Sequence, residues 1–319
     1  MKPLQMPMFS PETEWVPPLS LPDLKEYSEI AIDLETRDPN LMTMGSGAIR
    51  GDGEVVGIAV AVEGWKGYFP IAHEAGGNMD RALVLDWFEE VLHTPATKIF
   101  HNAMYDVSWI RSLGFQINGG IIDTMIASSL VDENRWSFTL DSMSKQYVGM
   151  GKNEKTLAEA AKAWGVNPKA EMWRLPAPLV GEYAERDAEV TLKLWHAMKH
   201  ELTQQELWDV FNLETNLFPC LVDMKFKGVR VDLDQAEILK KDLNKQEKII
   251  HQKIEKLSGF PIEIYAATSI AKAFDKLKMP YDRTDKGAPS FTKNFLATHP
   301  HELPKLINEA REVNKASST

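Results

Sequence analysis

The chain has 319 residues, room for about two domains, and its hydrophobic fraction of 44% suits packed cores rather than disorder. The longest apolar run, residues 55–62, is far short of the roughly 20 residues of a membrane span, and no basic segment leads into an apolar core, so neither a membrane protein nor a secretory signal is expected. The net charge of −10 speaks against a nucleic-acid partner only until the chain is divided: residues 204–319 hold 18 Lys+Arg and 17 Asp+Glu, which leaves 18 and 29 in the rest.

Pro3, Pro7, Pro11, Pro17, Pro18 and Pro22 make residues 1–22 an extended lead-in. Residues 30–35 predict a strand, and residues 55–62 and 68–70 two more, with Gly64 and Gly67 near the turn between them. Residues 81–93 carry a helical apolar stripe. A short strand is expected at 98–101 and a helix at 103–112. Residues 121–122 end the strand set, with Asp123 as N-cap of the helix that follows. Residues 179–201 form a long helix. A three-strand meander followed by helix-linked strands implies an α/β domain over residues 23–203, a mixed sheet with helices on its faces.

Beyond about Leu202 the pattern changes. Leu207, Val210, Phe211, Leu217, Phe218, Leu221 and Val222 repeat at helical spacing up to Gly228. Asp234 opens a long charged helix to about Gly259, and shorter helices are expected near 269–278 and 292–298. Residues 204–319 are therefore expected to be nearly all helix. The single cysteine, Cys220, falls in this apolar pattern, which places it reduced in the core and excludes an intrachain disulfide.

Four carboxylates stand where packing alone would not put them. Asp33 and Glu35, in I-A-I-D-L-E-T, fall on one face of the first strand, with Cα atoms roughly 7 Å apart at about 3.3 Å per residue. Two such charges repel unless a cation lies between them. Alone, D-x-E is common and reads as the outer positions of a solvated edge strand. Asn102 and Asp106, four apart in H-N-A-M-Y-D, share a helix face, where Asn102 also reads as an N-cap. Tyr183, Asp187, Val190, Thr191, Leu194 and Met198 make one helical stripe, and a carboxylate inside an apolar stripe is costly unless paired or metal-bound.

D-x-E on a first strand, N-x-x-x-D after a later strand and Y-x-x-x-D on a later helix resemble, in order and spacing, the proofreading 3′–5′ exonucleases of the DEDD superfamily, tyrosine branch. The segments F-P-I-A-H-E (69–74) and I-I-D-T-M-I-A-S-S-L (121–130) resemble the intervening stretches of bacterial and phage family A DNA polymerases. L-V-D-M-K-F-K-G-V-R-V-D (221–232) is similar to that family's approach to the polymerase domain, and D-K-G-A-P-S-F-T (285–292) to its thumb. The resemblance runs from about Ser20 to the C-terminus. The palm's aspartate motifs and the fingers helix find no match, so no DNA synthesis is expected from this chain alone.

The resemblance implies a ribonuclease H-like mixed sheet with flanking helices, followed by an all-helical, thumb-like region. It implies two divalent metal ions, Mg²⁺ or Mn²⁺. Asp33, Glu35 and Asp187 would hold one; Asp33 would bridge to the second, which Asp106 would reach directly or through water. Tyr183 would orient the attacking water, and Asn102 and Thr36 would contact the terminal nucleotide. The implied partner is DNA, a single-stranded 3′ end of a primer–template, in the cytoplasm (of a host, if phage-encoded). A separate palm-and-fingers polymerase chain is a further partner the resemblance allows.

Weaker candidates remain two-sided. Leu41 and Trp173 would either stack on unpaired bases or pack in the core. Lys152 and Lys155 would meet phosphate or be solvated loop lysines, and His73 reads as a loop histidine. Lys240, Lys241, Lys245 and Lys248 would form a solvated helix face or a thumb surface touching duplex phosphates. Two other functions compete: an exonuclease acting on RNA, and a non-catalytic primer-end-binding subunit of a split polymerase.

Overall fold

The computed structural model describes residues 4, 7, 11–151 and 155–318; Lys152 and most of the first ten positions of the lead-in lie outside them. The chain divides into two compact units, Met1–Gly228 and Val229–Thr319.

The first unit is built on five strands: β1 (Glu29–Arg37), β2 (Glu54–Val62), β3 (Trp65–Pro70), β4 (Thr97–Phe100) and β5 (Ile121–Asp123). Their order is β3-β2-β1-β4-β5. The meander β1–β2–β3 is antiparallel, and β4 and β5 join it in parallel, as helix-linked strands must. β1 is therefore the central strand and not a solvated edge. Two single turns, α1 (Leu41–Met44) and α2 (Gly47–Arg50), link β1 to β2; α3 (Arg81–His93) and α4 (Ala103–Ser112) flank β4. After β5 come α5 (Thr124–Val131), α6 (Leu140–Tyr147), α7 (Lys155–Trp164), α8 (Gly181–Gln204) and α9 (Trp208–Lys227).

Strand alternation divides β1 between two cores. Ile30, Ile32 and Leu34 pack with Ile58 and Val60 against Trp87, Phe88 and Val91 of α3. Each such side chain, fully buried, contributes about 1.5–3 kcal/mol. On the opposite face Ala31, Ala59 and Ala61 meet Ala184 and Ala188 of α8. Small side chains on both surfaces let α8 lie close to the sheet. That close approach brings residues of α8 to the face that carries Asp33 and Glu35.

Helix α9 belongs to this unit, although the sequence pattern groups it with the helices that follow. Phe211 stacks on Trp195 with ring centroids 5.6 Å apart, and Phe218 and Val222 enter the α3 core. Cys220 is exposed, not in the core as expected. It lies two residues, about 200° of helical turn, from Val222, on the side that packing leaves open.

The second unit contains α10 (Leu233–Ser258), α11 (Ala267–Lys276), the short hairpin β6 (Asp282–Arg283) and β7 (Pro289–Ser290), α12 (Lys293–Thr298) and α13 (Glu302–Ser318). Asp232, and not Asp234, caps α10, accepting from the Gln235 N–H at 3.0 Å. α10 packs on α13 around Ile250, Ile254, Phe274, Leu303 and Ile307. Helix α13 has no counterpart in the sequence reading; its Pro304 sits in the first turn, where a missing N–H costs nothing. Lys240, Lys241, Lys245 and Lys248 are all exposed, and Lys241–Glu237 and Lys245–Asp242 pair along the helix. Among the described residues no helix is long and apolar enough to cross a membrane.

Candidate active site

Beside β1 lies a cleft of about 640 Å³, lined by Asp33, Glu35, Thr36, Asn102, Tyr105 and Tyr183 among others. It opens where the β1–β2 register slips between Glu35 and Thr36. A bulge of this kind re-aims side chains at the end of a pairing. Gly57 stands opposite Glu35, and a Cβ there would lie 2.1 Å from the Tyr68 hydroxyl. Glycine at 57 thus leaves room for the Tyr68 phenol across β2, directly beside the acids.

β1 puts Asp33 and Glu35 on the cleft wall, and α4 and α8 bring Asp106 and Asp187 against the lining residues Leu34 and Tyr183. Glu35, Asp106 and Asp187 are 8%, 4% and 2% exposed, and Asp33 is half-buried. Asp106 accepts from the Leu34 N–H at 3.0 Å, so its carboxylate touches β1 between the two strand acids. Burial, and then the charge of Asp33, push the Asp106 carboxyl well above the usual carboxylate range. Tyr183, one turn before Asp187 on α8, hydrogen-bonds to it. Burial first, then Asp187, Glu35 and Asp33, raise the Tyr183 hydroxyl far above its ordinary value. Tyr68 is likewise pushed up by burial, Glu35 and Asp33. These mutual effects tie all four acids to one electrostatic neighbourhood.

The donor set is oxygen only and strongly anionic, the chemistry that suits a hard divalent cation. Among the described residues no three His, Cys, Asp or Glu side chains stand in ready ligating geometry. The fit is therefore one of donor type, charge and shared location.

Asn102 adopts a left-handed backbone, φ 67°, at the start of α4, and its side chain makes no capping bond. The capping falls to Asp123, whose carboxylate accepts from the N–H groups of Asn102 (2.9 Å), Ala103 (2.8 Å) and Met125 (2.8 Å). One acid thus caps two helices and leaves the Asn102 amide exposed at the cleft. Thr36 Oγ1 and the Tyr105 hydroxyl lie 2.6 Å apart on the cleft wall. Trp173 is 7% exposed, with the Arg37 guanidinium 4.9 Å from its ring, and does not line the cleft. This burial fits the packing alternative for Trp173, with the Arg37 and Arg174 guanidinium groups against its ring. Leu41, on α1, is exposed and also lies off the cleft wall. Lys155 is exposed at the start of α7.

Two residues of the cleft wall, Tyr105 and Lys169, are absent from the sequence reading. Tyr105 precedes Asp106 directly, and an aromatic at that place was the available signal. Lys169 is the one Lys or Arg among the described residues lining the cleft, in a turn held by Asn167; nothing local marks it. His73 is a loop residue, yet it is 3% exposed. Its Nδ1–H donates to the Leu175 carbonyl at 2.9 Å, and its Nε2 accepts from the Tyr68 hydroxyl at 2.7 Å.

Fold and cleft together define a ribonuclease H-like exonuclease domain. The family model described as 3′–5′ exonuclease matches residues 20–203, more than half of the chain, and the chain belongs to that family. It is a relative of family A DNA polymerases. The DNA-directed DNA polymerase of Pseudomonas phage M6 is 32% identical over 99% of this chain and 49% of its own length. DNA polymerase DpoZ of Acinetobacter phage SH-Ab 15497 is 27% identical over 94% of this chain and 49% of its own length. DNA polymerase I of Pseudomonas aeruginosa is 28% identical over 94% of this chain and 33% of its own length. The chain spans about half the length of the phage relatives. A structure described as the POL domain of Pol1 from M. smegmatis in complex with DNA primer-template and dNTP shares the fold, with a TM-score of 0.60 at 17% identity, over 92% of this chain and 46% of that one.

Proposed function

We propose that this chain is a metal-dependent 3′–5′ exonuclease that releases nucleoside 5′-monophosphates from single-stranded DNA 3′ ends, the proofreading activity of a DNA polymerase. The observation that supports this reading is that Asp33 and Glu35 line the cleft while two buried acids stand against its lining residues, Asp106 on the Leu34 N–H and Asp187 on Tyr183. DNA is favoured as substrate because the similar proteins are DNA polymerases.

Asp33, Glu35 and Asp187 would hold one Mg²⁺ or Mn²⁺, and Asp33 with Asp106 a second. When bound, such a pair supplies Lewis-acid stabilisation of both the attacking and the leaving oxygen. Every other contribution comes from the chain itself. Tyr183 keeps its proton throughout the neutral range, because burial first, and then the acids around it, oppose ionisation. It therefore serves as a hydrogen-bonding guide for the attacking water and not as a base. Asn102, free of capping duty, faces the terminal nucleotide, with Thr36 and Tyr105 on the same wall. Lys169 brings positive charge to an otherwise acidic cleft and would meet a backbone phosphate.

The test is digestion of a single-stranded oligonucleotide labelled at its 3′ or its 5′ end, with and without EDTA, by wild type and by Asp33→Ala. Loss of the 3′ label first, stopped by EDTA and absent in the variant, is expected. Equal digestion by the variant, or digestion from the 5′ end, overturns the proposal.

A further inference from the structure

We infer that Trp136 is a stacking platform for an unpaired nucleobase of the strand that leads into the cleft, an inference that rests on the exonuclease reading above. The indole is 104% exposed relative to a reference chain, so it touches almost nothing in its own protein. A large aromatic side chain bare to water is rare in a folded domain and signals a surface that meets something. Among the described residues of the first unit it is the one large aromatic so exposed.

The segment that carries it is braced rather than loose. Asp132 accepts from the Asn134 N–H at 3.3 Å. The Arg135 guanidinium reaches Gln146 and Ser142 on α6 and lies 4.0 Å from Asp132. His101 Nε2 donates to the Phe138 carbonyl at 2.9 Å. His101 itself lines the cleft, as do Thr139, Leu140 and Asp141 immediately after the segment. Thr139 is also the N-cap of α6. The Cα of Trp136 is thus three residues, at most about 10 Å of chain, from that of Thr139 on the cleft wall. Its neighbours hold the backbone in place while the ring stays free.

Stacking suits this place chemically. The cleft rim carries acid, which repels phosphate, whereas a base offers an uncharged face to an indole whatever its sequence. A strand with its 3′ end at the acids must leave the cleft past one of its walls, and the wall formed by Thr139, Leu140 and Asp141 is the one that Trp136 adjoins in the chain.

The experiment compares wild type, Trp136→Ala and Trp136→Phe on dT12 and on the dinucleotide pTpT with Mn²⁺. In Trp136→Ala, KM for dT12 is expected to rise on the order of tenfold with kcat unchanged, since stacking on one base contributes that much. KM for pTpT stays the same, because so short a strand cannot reach the ring. Trp136→Phe retains most of the affinity for dT12. Melting temperatures of all three stay alike, since the indole packs on nothing. An unchanged KM for dT12, or an equal rise for pTpT, overturns the inference. If wild type fails to shorten dT12 at all, the exonuclease reading is what has failed. Anisotropy of labelled dT12 then decides for Trp136, and equal Kd values for wild type and Trp136→Ala overturn the platform in favour of a protein-facing residue.

Discussion

Replacing His73 by Gln tests the layer beneath the acids. His73 is buried as the neutral imidazole, with both ring nitrogens satisfied, and burial lowers its pKa from 6.5 to about 4. The unfolded chain takes up a proton from about pH 6.5 downward, and the folded chain only from about pH 4. Stability from this group is fully present above pH 6.5, falls between pH 6.5 and 4, and is lost below. At about 1.36 kcal/mol per pH unit the window amounts to about 3 kcal/mol. For a unit of some 200 residues that is about 6–12 °C in melting temperature. Thermal unfolding of wild type and His73→Gln between pH 8 and pH 4 measures it. At pH 8 the variant should melt lower, by about 1–3 kcal/mol for two disturbed buried hydrogen bonds. As pH falls the gap should close, while the carboxylates, common to both proteins, cancel. A gap that stays constant from pH 8 to pH 4 would refute the claim that His73 is buried uncharged under Tyr68.

Saturating Mg²⁺ or Mn²⁺ should raise the wild-type melting temperature, since metal held by the folded acids alone contributes about 2.7 kcal/mol at a hundredfold excess over Kd; Asp187→Ala should abolish the rise, and a rise of equal size in the variant would place the metal elsewhere. Tyr183→Phe should lower kcat on the order of 10²-fold while leaving that metal-induced rise intact, and loss of both together would make Tyr183 structural. Lys169→Gln should flatten the dependence of log KM on log salt for an oligonucleotide by about 0.7, the signature of one lost phosphate contact on a single strand. An unaltered salt slope would remove Lys169 from the binding surface.

Much of the site was legible because its signals are local. D-x-E on an apolar strand, N-x-x-x-D and Y-x-x-x-D each fall within one turn or one strand, and alternation or helical spacing places each pair on a common face. Asp123 was legible as a cap for the same reason. Its second task, at the start of α4, was not, because Asn102 and Asp123 are 21 residues apart and meet only through the parallel pairing of β4 with β5.

Apolar periodicity alone determined that this chain would form a mixed sheet followed by helices, and the order and spacing of the acid motifs carried the resemblance to 3′–5′ exonucleases that the family match bears out. Which faces are covered is a matter of packing between distant segments, and only the tertiary structure decided it. Trp173 reads as a candidate stacker and is buried; Trp136 carries no motif and stands in water. α9 continues the apolar pattern of the later helices, yet Phe211, Phe218 and Val222 fasten it to the sheet unit. His73 looked like any loop histidine until Tyr68 and Leu175 closed around it. Local spacing sets which side chains share a face, whereas burial depends on what the rest of the chain brings against that face.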